Sequence, residues 1–213
     1  MDAKNTFRQH AIVGFFSLGL AFAFNRFLDT PWSTTFGRVS IILLFLILII
    51  GPVMRLKKPA KASTPLRTPW SWRSELGVWF TLTALIHFYF VMGGRPNWSL
   101  MEALGGFIGG SGYGFANTLG LIALFWAVVL AATSFGKIIM FIGVESWKWL
   151  HTMTYVTFYL VSGHMLYFQF FSTYGSGPDW FGYAAAAMAL LVVALQLSAF
   201  AKTVIKNRKK REK

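Results

Sequence analysis

The stretch WLHTMTYVTFYLVSGHMLYFQFF, residues 149–171, decides how this chain is read. It is apolar and long enough to cross a bilayer as a helix, which takes roughly 20 residues. Yet it carries two histidines, His151 and His164. A third, His87, lies in another apolar segment, Leu76–Val91. A polar group inside a membrane is costly and needs a partner, so an ionisable residue there is read first as a functional one.

Working outward, five further apolar runs resemble this one. The six spans are placed near Ala11–Phe27, Val39–Met54, Leu76–Met92, Phe115–Phe135, Trp149–Phe171 and Tyr183–Ala201. The chain of 213 residues is 55% hydrophobic and only 13% charged, against about 25% charged in soluble domains. The expected fold is therefore an all-α membrane protein, a six-transmembrane-helix bundle forming a single domain over residues 1–213. Cysteine is absent, which excludes disulfides, thiolate metal sites and cysteine nucleophiles. The apolar stretch after Lys4 and Arg8, ending in Ala21-Phe22-Ala23, could be taken for a secretory signal. It is read instead as a retained first helix, because the charge pattern works with it in place.

That pattern is lopsided. If the six spans alternate, 17 of the 20 Lys and Arg fall on one side, and only Arg26, Arg38 and Arg95 on the other. The positive-inside rule then puts both termini in the cytoplasm and the chain in the cell (inner) membrane as a multi-pass protein. The net charge of +13 is accordingly assigned to anionic lipid headgroups and not to nucleic acid. Tryptophans Trp70, Trp72, Trp147 and Trp149 on the inner side, and Trp32, Trp98 and Trp180 on the outer side, sit where interfacial anchors belong. Pro59 to Pro69 reads as an extended basic loop. Gly105 to Gly114 reads as a glycine-rich outer loop.

Depth decides which histidines can meet. Counted from Glu75, His87 lies roughly 18 Å along its helix, and counted from Trp147, His164 lies about 25 Å along the helix of the same direction. Both fall in the outer half, and they are expected to form an axial pair for one haem, since imidazole is a usual ligand of haem iron. His151 lies near the inner surface with no histidine opposite. Residues 13 apart differ by about 140° in azimuth on an ideal helix. A distortion at Ser162-Gly163, a pair type at which helices kink, is expected to re-aim His164 inward. A histidine can also simply hydrogen-bond across a helix interface, but the matching depth of His87 and His164 favours a shared ligand. Met92 and Met165 are read as gap-fillers.

The residues resemble the ferric-reductase-like transmembrane domain family, most closely its short bacterial branch, the haem-binding membrane subunit of the periplasmic methionine-sulfoxide reductase system. The resemblance runs from about Gly37 to His164. It takes in Gly37-Arg38, Pro52 and Arg55, then Arg73, Leu76-Gly77 and Trp79 leading to His87. It continues through Thr118-Leu119-Gly120 and Thr133-Ser134 to Trp147, Leu150, His151, Tyr155 and His164.

The resemblance implies a b-type cytochrome. His87 and His164 match haem-ligand positions, and His151 matches a third histidine associated with haem binding, so one haem b is expected, with room in the family pattern for a second haem and for FMN. Larger relatives carry another histidine 14 residues before the first, where this chain has Arg73. Propionates need cationic partners. Arg38 and Arg95 are the outer candidates, and Arg73 with Lys148 the inner ones. About a dozen residues follow the sixth span, too few for a dinucleotide-binding unit. Electrons are thus expected from a separate cytoplasmic flavin reductase or quinone pool, and an external redox partner, either a methionine-sulfoxide reductase or ferric iron, is expected to receive them. The competing class is a non-redox membrane protein, such as an assembly factor, haem handler or small transporter, whose histidines are structural.

Overall fold

A computed structural model of the protein describes residues 3–56, 72–94, 112–172 and 177–212. Its long elements are α1 (Ala3–Phe27), α2 (Trp32–Leu56), α3 (Arg73–Gly93) and α4 (Gly112–Ala132). Two short helices, α5 (Gly136–Ile142) and α6 (Val144–Leu150), lead to α7 (Met153–Leu166), a π-helical turn (Tyr167–Phe171) and α8 (Trp180–Arg211). All regular structure among the described residues is helical, as expected for a chain that must satisfy its backbone polar groups within each segment in lipid. Five helices are long and apolar enough to cross a membrane, within Thr6–Phe27, Trp32–Leu56, Arg73–Gly93, Gly114–Ala132 and Trp180–Lys209.

α2 lies at the centre of the bundle. It packs on α1, α3 and α8, while α3 also meets α4 and α4 pairs with α7. Its side chains Val39, Leu43, Leu44, Ile47 and Leu48 form the middle of the core, joined by Val13 and Phe24 of α1, Phe80 of α3, Phe158 of α7 and Val192 of α8. The outer surface is apolar too. Phe15 is 79% exposed and Leu190 73%, a pattern that suits lipid and not water. Buried hydroxyls are satisfied on the preceding turn, as in Ser17 to the Val13 carbonyl (2.8 Å) and Thr157 to Met153 (3.1 Å). Thr81 also reaches across to the carbonyl of Ala127 on α4 at 3.0 Å.

The stretch from Trp149 to Phe171 departs from the single helix expected of it. α6 ends at Leu150, His151 and Thr152 form a turn, and the helix restarts at Met153. The local chemistry accounts for the break. The Thr152 hydroxyl donates to the Trp149 carbonyl (2.6 Å) and the Thr154 hydroxyl to the His151 carbonyl (2.8 Å), giving the backbone side-chain alternatives to the regular ladder. By contrast α7 runs unbroken through Ser162-Gly163, so the distortion expected at that pair is absent. The irregularity comes one turn later, where Ser172 N–H bonds the Tyr167 carbonyl at 2.8 Å in the wide π pattern. Helix four closes at Ala132 and not at Phe135, and the glycine run partly joins it, since Gly112 and Gly114 are helical. The proline-rich basic loop, Trp70, Trp98 and Arg95 lie outside the described residues.

Candidate functional site

His87, near the end of α3, and His164, near the end of α7, line one cavity of about 420 Å³ between α2, α3, α4 and α7. That volume lies within the roughly 300–1,000 Å³ of ordinary small-molecule and cofactor sites. The wall is mainly apolar, with Phe80, Leu121, Leu124 and Phe168 among its residues.

Each imidazole is held from behind by a backbone carbonyl on another helix. His87 Nδ1 lies 2.6 Å from the Ser33 carbonyl oxygen at the start of α2, and His164 Nδ1 lies 2.8 Å from that of Ala116 at the start of α4. A carbonyl only accepts, so Nδ1 is the donor in both rings. The neutral ring then keeps its lone pair on Nε2, its remaining ligating position. This is the arrangement in which a carbonyl fixes the tautomer and direction of a metal-binding imidazole.

Two glycines make the space for these rings. A Cβ built on Gly37 would lie 3.1 Å from His87 Nδ1, and one on Gly120 would lie 2.7 Å from His164 Nδ1. The second distance is closer than real side chains come, so Gly120 cannot gain a methyl unless the ring or helix moves. Both histidines are thus seated against glycine backbone, on α2 and α4 respectively.

His151 is placed elsewhere. Its Nε2 lies 3.4 Å from the Thr133 hydroxyl near the far end of α4, and its ring meets that of Trp147 at a centroid separation of 4.5 Å. Arg73, the first residue of α3, is within electrostatic reach of it. His151 and Arg73 therefore share the opposite end of the bundle from His87 and His164. Lys148 in that region is exposed and pairs with Glu145 at 2.7 Å. The described residues contain no cluster of three or more His, Cys, Asp or Glu suited to a metal ion; besides Arg38, the two imidazoles are the titratable side chains that line the cavity.

The cavity end near His87 carries a polar group that sequence reading did not assemble. Arg38 lines the cavity. It is ion-paired with Asp179 and donates from Nη1 to the Thr30 hydroxyl at 3.2 Å, while its Nε is buried without an acceptor. Gln169, on the π turn, also lines the cavity. Asp179 was legible only as one of just seven acidic residues in the chain, standing before an apolar helix where a cap belongs. Gln169 carried no such signal, because it reaches the wall through the π turn. Met92 and Met165 also border the cavity.

Residues 36–162 match the family model described as the ferric reductase like transmembrane component, more than half of the chain. The chain belongs to the ferric-reductase-like transmembrane family. The matched segment contains Gly37, Arg38, His87, Gly120 and His151, and ends two positions before His164. With its five apolar helices, the chain is a multi-pass membrane protein, and its family points to electron transfer in the membrane. Comparison with curated proteins gives no match.

Proposed function

We propose that this family member is a b-type cytochrome that carries electrons across the membrane, with His87 and His164 as the axial ligands of one haem. The observation that carries this reading is the pair of carbonyl-anchored imidazoles, each with its ligating nitrogen on Nε2, lining one apolar cavity. The residues fit the group. The two rings would hold the iron, Gly37 and Gly120 leave room for them, and Arg38 has a buried unmatched donor for a propionate. Held by both imidazoles, such a group would supply one-electron transfer. The protein's own part is to hold the rings in one tautomer, keep water from the cavity and neutralise the propionates.

In this reading α7 and the π turn provide a sixth crossing, with both termini cytoplasmic and the chain in the inner membrane. His151 and Arg73 at the cytoplasmic end are the residues on which a second cofactor, haem or FMN, would depend. Electrons arrive from a cytoplasmic flavin reductase or quinol and leave to an external acceptor, a methionine-sulfoxide reductase partner or ferric iron. The protein then acts as an electron-transfer subunit.

The test is a reduced-minus-oxidised spectrum with a haem-to-protein ratio on detergent-purified protein. The wild type is expected to show a low-spin b-type spectrum that is lost in His87→Ala and in His164→Ala. Retention of one haem after His151→Ala would place the cofactor in the cavity described. A colourless wild type, expressed with ample haem, would return the histidines to helix packing.

A further inference from the structure

We infer that Asp179, which does not line the cavity, is the residue that positions Arg38 and sets the electrostatic field at that end of the site. It rests on the cytochrome reading above. Asp179 is the N-cap of α8. Its Oδ1 accepts from Gly182 N–H at 2.9 Å, while its other oxygen pairs with Arg38 of α2. Its own backbone N–H reaches the Gln169 side-chain oxygen of the π turn at 3.4 Å. One residue thus ties two cavity-wall side chains, from α2 and from the π turn, to the start of α8.

The surroundings enclose the cation of this pair, whereas the Asp179 side chain is 38% exposed. The Arg38 guanidinium carbon sits 5.1 Å from the Phe181 ring centroid, 5.8 Å from Trp180 and 5.9 Å from Phe24, and its side chain is only 9% exposed. In an apolar cage a charge acts more strongly than in water. The pair presents a cation to the cavity with its counter-charge behind it, and each Nη group spends one donor, on Asp179 and on Thr30. The buried Nε–H has no partner within the protein and is a donor left for a ligand. Removing the Asp179 charge would leave the Arg38 cation uncompensated beside the site and favour the reduced state. Removing the Arg38 charge would do the opposite.

Potentiometric titration of the haem-loaded protein in detergent separates this role from a structural one. Asn caps a helix as well as Asp does, so Asp179→Asn keeps the α8 cap and removes only the charge. The expected result is a positive shift of midpoint potential in Asp179→Asn, a negative shift in Arg38→Gln, and a value near wild type in Asp179→Glu. Asp29→Asn, which removes an exposed carboxylate in the α1–α2 turn, should leave the potential unchanged. A potential in Asp179→Asn that stays at the wild-type value, or that moves no further than in Asp29→Asn, overturns the inference while the haem reading stands. A wild type that holds no haem overturns the cytochrome reading and this inference with it.

Discussion

Gly37 and Gly120 show how closely the two imidazoles are fitted. At Gly120 an added methyl would come within 2.7 Å of His164 Nδ1, and at Gly37 within 3.1 Å of His87 Nδ1, in each case at the nitrogen that holds the anchoring carbonyl. Gly120→Ala is therefore expected to push His164 off the Ala116 carbonyl and lower the haem-to-protein ratio of purified protein several-fold. Overpacking of this kind typically costs about 1–3 kcal/mol. Gly37→Ala should do the same more mildly, and Gly19→Ala, where nothing lies within 4 Å, should match wild type. At this scale the histidines were legible because imidazoles are conspicuous in apolar runs. Gly37 and Gly120 stood out only as parts of a family pattern, since a glycine's neighbours across a helix interface leave no trace in its local sequence.

At the scale of the element, five of the six expected spans were legible, and the interruption of the sixth stretch was not. Runs such as VSIILLFLILII, within α2, admit little but a buried helix. The break at His151-Thr152 depended on threonine hydroxyls finding carbonyls nearby, and those same hydroxyls could equally have bonded back along an unbroken helix. The restart at Met153 brings His164 to roughly 16 Å from the beginning of its helix, against roughly 21 Å for His87 counted from Arg73. Both rings nonetheless line one cavity, with no kink at Ser162-Gly163. Between elements, Thr81 donates to the Ala127 carbonyl across the α3–α4 interface. Thr81→Val should remove that link while keeping the shape, at a cost of about 0.6 kcal/mol, the average for such bonds in a membrane protein. Unfolding in mixed micelles with increasing dodecyl sulfate would measure it, and a change above about 2 kcal/mol would mean that α3 and α4 had separated.

For the whole molecule the number of crossings fixes the side on which each end lies. An even number puts Arg8 of α1 and Lys206 of α8 on the same face, and an odd number separates them. The chain has no cysteine, so single Arg8→Cys and Lys206→Cys variants can be labelled in intact spheroplasts without background. Neither should react with a membrane-impermeant maleimide until the membrane is opened, whereas Asp29→Cys in the α1–α2 turn should react at once. Labelling of Lys206→Cys alone in closed cells would show that α7 and the π turn do not cross. The sequence by itself determined that this is a helical, multi-pass membrane protein. Composition, span length and Lys/Arg position are properties of the chain that lipid reads directly. Only the tertiary structure decided that His87 and His164 share a cavity, because each takes its orientation from a carbonyl 54 or 48 positions away. It likewise joined Arg38 to Asp179, 141 positions apart, since contacts over such separations are set by how helices pack and not by any pattern along them.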